Sequence, residues 1–330
     1  MRLLILGGTE FVGRALAEAA VARGWQVTAF NRGRQPSPAG TRPLRGDRTA
    51  TDGLAALHGG EWDLVVDTWS GAPRVVREAA RALSDRADRY AYVSSCSVYP
   101  FPARPGNDES DPVVDGSPDA GQIDYASDKR GGELAAVEAF GAERALLVRA
   151  GLILGPYENT RRLTWWLNRM ARGGPVLAPG PREAGVQYVD VRDLAEWTLD
   201  ALTDGRDGPY NLVGPAGATT MGELLETCAG VAGPNAELRW VEPRVLTEAG
   251  IEPWTEMPMW LPPGDPNAAV YQQGVAKALA AGLRPRPLAE TVRDTWAWLS
   301  SRGGDAPQRP DRPSVRLDPA REAEVLAGLG

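Results

Sequence analysis

Histidine, cysteine and lysine are nearly missing from this 330-residue chain, and each gap removes a class of function. One histidine, His58, cannot build a metal cluster. Cys96 and Cys228 are too few for a disulfide framework and lack metal-ligand spacing, which fits a reducing, cytoplasmic setting. No apolar run approaches the roughly 18–20 residues a membrane span needs, and the opening MRLLILGG is too short for a signal peptide and reads as a first strand. A net charge of -7 and a pI near 5.1 disfavour a phosphate-backbone binder, so the expected partner is a small molecule, with neither nucleic acid nor membrane.

Lysine is the most informative absence. Of 36 basic residues only Lys129 and Lys277 are lysines, and the rest are arginine. Arginine is the general-purpose cation of this chain, so a lysine marks a place where a compact ammonium is wanted rather than a planar guanidinium.

What is present points to an α/β chain. Hydrophobic residues make up 43%, enough for a large core or two lobes. Apolar runs (RLLILGG, WQVTAFNR, WDLVVDTW, RYAYVSSCSV) alternate with helical patterns (ALAEAAVARG, VVREAARALSDRA), which predicts βαβ units and a Rossmann-type doubly wound parallel sheet. Residues 1–155 are expected to form this domain, with 186–214 returning to it. Residues 156–330, rich in Pro and Trp, are expected to form a smaller substrate-binding lobe with a C-terminal arm and helix. In TRRLTWWLNRMARGG, Leu163, Trp166, Leu167 and Met170 recur at helical spacing as a core stripe, and Trp165 falls off it. QYVDVRDLAEWTLDAL predicts a strand, an Asp190 cap and a helix with Asp193 in its first turn. SRGGDAPQRPDRPSVR reads as a loosely held arm, followed by a helix capped by Asp318 with Pro319 first.

The first strand runs into ILGGTEFVGR. In a dinucleotide site the glycines of such a turn let backbone N–H groups and the helix N-terminus face the pyrophosphate. Gly7, Gly8 and Gly13 keep that pattern, but Glu10 stands where another glycine is expected. Either Glu10 turns outward at the first helical turn and the loop still binds, or its carboxylate closes the site. The second strand ends in Asn31, then Arg32 and Arg34, with no acid to meet a ribose 2′-hydroxyl, which favours NADP over NAD. Asp47, after the third strand, is a candidate to meet the adenine or a turn residue.

Catalytic chemistry concentrates in DYASDKRGG. Tyr125 and Lys129 are four apart and share a helix face. A tyrosine has an ordinary pKa of about 10, and an adjacent ammonium favours its phenolate, fitting it to exchange a proton with a substrate oxygen. With 8 tyrosines and two lysines in 330 residues, chance gives on the order of 0.05 such pairs. Upstream, YVSSCSVYP ends an apolar strand in hydroxyls; Ser95 is placed to polarise the substrate oxygen, with Ser94 the close alternative.

Taken in order, GGTxFxGR after a strand, the serine-rich strand end before VYP, Tyr-x-x-x-Lys, LILGP, QYVDVRDLA and YNLVG resemble an extended or atypical short-chain dehydrogenase/reductase, the superfamily of the NAD(P)-dependent epimerases and dehydratases. The resemblance covers roughly residues 1 to 230. It implies that Gly7, Gly8 and Gly13 hold the pyrophosphate; Thr9, Phe11 and Val12 in the same loop, and Asn31, Arg32, Arg34 and Asp47 after the second and third strands, are the further candidate cofactor-binding residues. It further implies Tyr125 as acid/base, Lys129 on the nicotinamide ribose and on Tyr125, Ser95 on the reacting oxygen, and Gly155 and Pro156 beside the nicotinamide. Homodimers are common in the superfamily.

Departures from the pattern narrow the chemistry. Sugar-nucleotide dehydratases carry an Asp-Glu pair after the catalytic hydroxyl, where this chain has Cys96 and Ser97, so elimination is disfavoured. The expectation is an NADPH-dependent reductase of a carbonyl-type small molecule, with Trp165, Tyr188, Trp254, Met257 and Trp260 as candidate apolar walls or core. Alternatives are a nucleotide-sugar 4-epimerase and a non-catalytic nucleotide- or RNA-binding member of the fold. The intact Tyr125/Lys129 pair favours a working cofactor loop.

Overall fold

The computed structural model describes residues 1–311, 313 and 315–329, and the chain divides into two compact units. The first comprises Met1–Leu152, Val191–Val213 and Gln273–Arg284; the second comprises Ile153–Asp190, Gly214–Gln272 and Pro285–Gly330. Nothing in the composition singles out the returning segment 273–284.

The first unit is built on a seven-stranded parallel sheet. Its strands are β1 (Arg2–Leu6), β2 (Gln26–Asn31), β3 (Thr41–Arg45), β4 (Trp62–Asp67), β5 (Ala87–Ser95), β6 (Ala145–Ala150) and β10 (Gly208–Leu212). They lie in the order β3-β2-β1-β4-β5-β6-β10, every neighbour parallel. The order reverses at β1 and β4, the switch point where open α/β sheets take ligands at their carboxyl ends. Helices α1 (Phe11–Ala22), α2 (Pro73–Leu83), α3 (Tyr125–Phe140), α5 (Val191–Thr203) and α8 (Ala276–Ala280) accompany it. Because helices cover both faces, central strands are apolar nearly throughout: Leu3 to Leu6, Leu64 to Val66 and Ala145 to Val148 are all buried. β3 is an edge strand, half exposed, and tolerates Pro43 because only β2 pairs with it. α3 starts where the Asp124 carboxylate accepts the Ser127 N–H at 2.9 Å.

In the second unit β7 (Leu152–Leu154), which starts at the boundary, pairs with β9 (Tyr188–Asp190), and β8 (Gly174–Pro179) pairs in parallel with β11 (Ala236–Val241). Its helices are α4 (Leu163–Ala171), α6 (Met221–Ala232), α7 (Pro243–Glu248), α9 (Leu288–Ser301) and α10 (Pro319–Ala327). The α4 stripe is buried as its spacing predicts: Leu163, Trp166, Leu167 and Met170 have no exposed surface. A Thr220–Glu223 capping box opens α6. Asp193 lies in the first turn of α5, and Asp190 closes β9 immediately before that helix. Among the described residues no helix is long and apolar enough to cross a membrane.

The C-terminal arm departs from expectation. Arg312 and Ser314, which the predicted loose arm includes, lie outside the described residues, but their neighbours are pinned. Arg309 N–H donates to the Asn159 carbonyl (3.0 Å), Arg316 N–H donates to that of Thr255 (2.9 Å), and Val315 and Leu317 are buried. Polar composition hid two apolar anchors and a backbone that found partners. Asp318 then caps α10, accepting from Ala320 N–H at 2.8 Å, with Pro319 first. One turn on, the Glu322 carboxylate is buried against Arg169 Nε at 2.7 Å and accepts the Leu177 N–H, while Arg169 also donates to the Gly173 carbonyl. Removing one partner of a buried pair strands the other charge, so Glu322→Ala is expected to cost about 3–5 kcal/mol in urea unfolding. Arg169→Leu/Glu322→Leu, which removes both charges, is expected to regain most of that loss.

Candidate active site

The turn after β1 is shaped by its glycines. Gly7 and Gly8 have φ of 126° and 87°, and a Cβ on Gly7 would come within 2.3 Å of the Thr68 hydroxyl. A Cβ on Gly13 would stand 2.5 Å from the Gly8 nitrogen, so the helix packs against the loop only because residue 13 is glycine. Glu10 is the N-cap of α1, in extended conformation and exposed, and its side chain accepts none of the first-turn amides. The helix terminus therefore keeps the N–H groups of Phe11, Val12 and Gly13 uncapped by Glu10. Thr9 lies half-buried in the turn.

At the ends of β2 and β3, an open cleft of about 410 Å³ is lined by Arg32, Arg34, Arg45, Gly46 and Asp47. Asn31 shapes it from behind: its side-chain oxygen accepts the Gly33 N–H (2.8 Å) and its carbonyl the Gly46 N–H (3.1 Å). Asp47 acts as a turn residue, accepting from Thr49 N–H (3.0 Å) and Thr49 Oγ1 (2.7 Å). Those two bonds, with the nearby charges of Arg32 and Arg34, hold its carboxyl below the usual range. Arg45 was not legible in the sequence, where it is one arginine among many on an edge strand.

Tyr125 and Lys129 come together on α3, with the Lys129 ammonium 5.9 Å from the centre of the Tyr125 ring. Lys129 is buried, and its Nζ donates to the carbonyls of Val93 (2.6 Å) and Trp69 (2.8 Å) above the Tyr92 ring at 4.9 Å. Tyr92 donates its own hydroxyl to the Trp69 carbonyl at 3.1 Å, and burial raises its pKa well above the ordinary tyrosine value. Gly132 makes room for that ring: a Cβ there would lie 2.4 Å from it.

Ser94 and Ser95 differ sharply. The Ser94 hydroxyl is buried and donates to Glu133 at 2.7 Å. Ser95, at the last position of β5, donates to the Ser97 hydroxyl (3.1 Å) and accepts the Ser97 N–H (3.1 Å). Glu133 has no exposed surface and also receives Arg149 in a bidentate pair (2.9 and 3.1 Å) and Arg130 at 3.0 Å. Arg149 continues to the Tyr99 hydroxyl (3.1 Å), which donates to Asn211 (2.7 Å). Cys96 donates to the Arg149 carbonyl, and burial pushes its thiol up to about 12, so it is no thiolate at neutral pH. Glu133 could have been found: it follows Tyr125 and Lys129 at a second interval of four on one helix face.

In the second unit, Met257 and Trp260 are interior, the Trp260 indole donating to the Gly180 carbonyl at 2.9 Å. They are core, not pocket wall. Trp165, Tyr188 and Trp254 are half-buried; Trp254 has a φ of 67° and carries the Arg162 guanidinium 5.2 Å over its ring. Gly155, ahead of Pro156, has a φ of 131°.

Three comparisons place this geometry. The NAD dependent epimerase/dehydratase family model matches residues 3–213. Among curated relatives, the dTDP-6-deoxy-L-talose 4-dehydrogenase (NAD(P)(+)) of Kitasatospora kifunensis is 26% identical over 330 residues, covering 91% of this chain and 96% of that protein. The chloroplast stem-loop binding protein of 41 kDa b of Arabidopsis thaliana is 27% identical over 263 residues, 74% of this chain, which spans only 66% of that relative. Among solved structures, the UDP-glucuronic acid 4-epimerase of Bacillus cereus in complex with NAD superposes with a TM-score of 0.66 at 16% identity, covering 93% of this chain and 99% of that one. The UDP-glucose 4-epimerase of Thermus thermophilus, also with NAD, gives 0.63 at 21%, covering 91% and 99%. Both likenesses are of fold. With more than half of its length matched, the chain belongs to the NAD dependent epimerase/dehydratase family.

Proposed function

We propose that this protein is an NADPH-dependent reductase of a carbonyl-type small molecule. The observation that carries the proposal is the Lys129 ammonium, buried and fixed 5.9 Å from the Tyr125 ring on one face of α3. That placement sets an ammonium beside a phenol, the pairing by which the phenol would protonate an oxygen at the carboxyl edge of the sheet. Ser95, at the end of β5, would polarise the same oxygen by turning its proton from the neutral Ser97 hydroxyl, whereas the Ser94 proton is held by the buried Glu133 carboxylate.

The residues present fit a dinucleotide carrying an extra phosphate. Gly7, Gly8 and Gly13 form a turn that a Cβ would obstruct, and Phe11, Val12 and Gly13 offer helix-terminal amides for a pyrophosphate. Arg32, Arg34 and Arg45 offer guanidinium forks for a 2′-phosphate, and Asp47 is held in its own turn by Thr49. Bound there, the nicotinamide would supply the hydride. The Kitasatospora relative is named for NAD(P)(+), which supports a site open to the phosphorylated form.

A second reading, a nucleotide-sugar 4-epimerase, is favoured by the fold likeness to the UDP-sugar epimerases above. Net consumption of NADPH separates the two, since epimerisation in place returns its hydride.

Calorimetric titration is expected to give tighter binding of NADPH than of NADH, and Arg32→Ala/Arg34→Ala to weaken NADPH by roughly ten- to a hundredfold with NADH unchanged. Equal binding of the two cofactors by the native protein would remove the role given to the arginines. On the first aldehyde, ketone or UDP-sugar that turns over, Tyr125→Phe is expected to lower kcat by about 10²- to 10⁴-fold. Ser95→Ala is expected to lower kcat as well, while Ser94→Ala lowers Tm through the stranded Glu133 bond and spares kcat.

A further inference from the structure

Lys129 depends on a main-chain carbonyl, that of Trp69, in a loop rather than in a strand or helix. Such a carbonyl holds a cation only if the loop itself is held. The segment from Asp67 to Ala72 joins β4 to α2 and is fastened at several points. Trp69 N–H donates to Asp67 Oδ1 at 2.9 Å, and its indole N–H donates to the Ala72 carbonyl at 3.1 Å. Thr68 Oγ1 donates to the Leu6 carbonyl at 3.0 Å.

Asp67 has no exposed surface, so its charge must be met within the protein. Arg48 meets it with both arms of its guanidinium, at 2.6 and 2.7 Å, and also donates to the Val75 carbonyl at 3.1 Å. Tyr90 donates its hydroxyl to Asp67 Oδ2 at 2.5 Å, and burial raises the pKa of that phenol well above the ordinary value. Burial alone would lower the Arg48 pKa, but the Asp67 charge and hydrogen bonds outweigh it and hold it above its usual value. The same guanidinium covers the Trp69 ring at 5.2 Å. Arg48 thus grips Trp69 twice, through Asp67 on its N–H and directly on its ring, while the Trp69 carbonyl carries the lysine. Arg48 also directly follows Asp47, which lines the arginine cleft.

We propose that Arg48 and Asp67 are positioning residues for Lys129: their buried pair fixes the Trp69 main chain, whose carbonyl holds the ammonium where it can bond the ribose of a nicotinamide. The assignment rests on the NADPH reading of the site. Arg48 is buried against Asp67, Val75 and the Trp69 ring, and it acts through Trp69. The planar fork suits this task because it meets both carboxylate oxygens at once.

The test compares two ligands. NADPH carries the nicotinamide ribose, and adenosine 2′,5′-bisphosphate carries only the phosphorylated adenosine end. Arg48→Met alone would strand the Asp67 carboxylate and endanger the fold, so the variant is Arg48→Met/Asp67→Asn, checked by thermal unfolding. Both ligands are titrated calorimetrically into the native protein, Lys129→Met, the double variant and the triple variant. The double variant is expected to weaken NADPH about tenfold, to leave the bisphosphate within about twofold, and to add nothing once Lys129→Met is present. Equal loss for both ligands would mean ordinary structural damage, and additive losses or unchanged NADPH affinity would mean independence from Lys129; each overturns the proposal. Failure of the site reading looks different: the native protein binds neither ligand, or Lys129→Met binds NADPH like the native chain, and the proposal then falls with it.

Discussion

A lysine side chain buried at the carboxyl edge of a parallel sheet is the constraint around which the first unit is organised. An ammonium taken out of water needs dipoles aimed at it. Here they come from two carbonyls on different elements, Val93 in β5 and Trp69 after β4, with a tyrosine face beneath. Each support has its own requirement. Val93 must sit in a strand that β4 and β6 lock on both sides, Tyr92 needs Gly132 to be glycine, and Trp69 needs a buried carboxylate that itself needs an arginine. Tyr125 lies one helical turn away on the same helix.

Two buried ionic clusters flank this lysine and do different work. Arg48 and Asp67 stiffen a loop. Glu133 and Arg149 tie α3 to β6, and through Ser94 and Tyr99 to β5 and β10. Burying ion pairs rarely adds stability over apolar packing, but it demands one geometry, which suits a sheet edge where atoms must be held for chemistry. The adjacent serines show how fine this division is: a one-residue step along β5 turns a hydroxyl from a link in the network to a group at the strand end.

Much of this was written locally in the chain, and what was local could be read. Tyr125 and Lys129 share a face because an interval of four is a helix turn, and the fold followed from apolar runs alternating with helical patterns. Gly13 was legible as a glycine that a tight turn requires. Whether Glu10 blocks the loop was not, because that depends on the backbone angle of one cap residue, which is extended here and leaves the side chain exposed without capping the helix. The ionic clusters were invisible for another reason. Arg48 and Asp67 are 19 residues apart and Glu133 and Arg149 are 16 apart, and a lone charge beside an apolar run reads equally as surface. In the second unit composition left Met257 and Trp260 open between pocket wall and core, and they are core; it misled in the arginine- and proline-rich arm, where Arg309 and Arg316 are pinned by backbone bonds.

The near-absence of lysine gives the molecule an unusual chemical surface. Lys277 is exposed, its Nζ lying against the Pro209 carbonyl and 4.0 Å over the Tyr210 ring, while Lys129 is shielded beneath its carbonyls. Reagents that seek side-chain amines thus meet a single address on the folded protein. A dye or tether attached through that side chain would sit at the β10 side of the sheet.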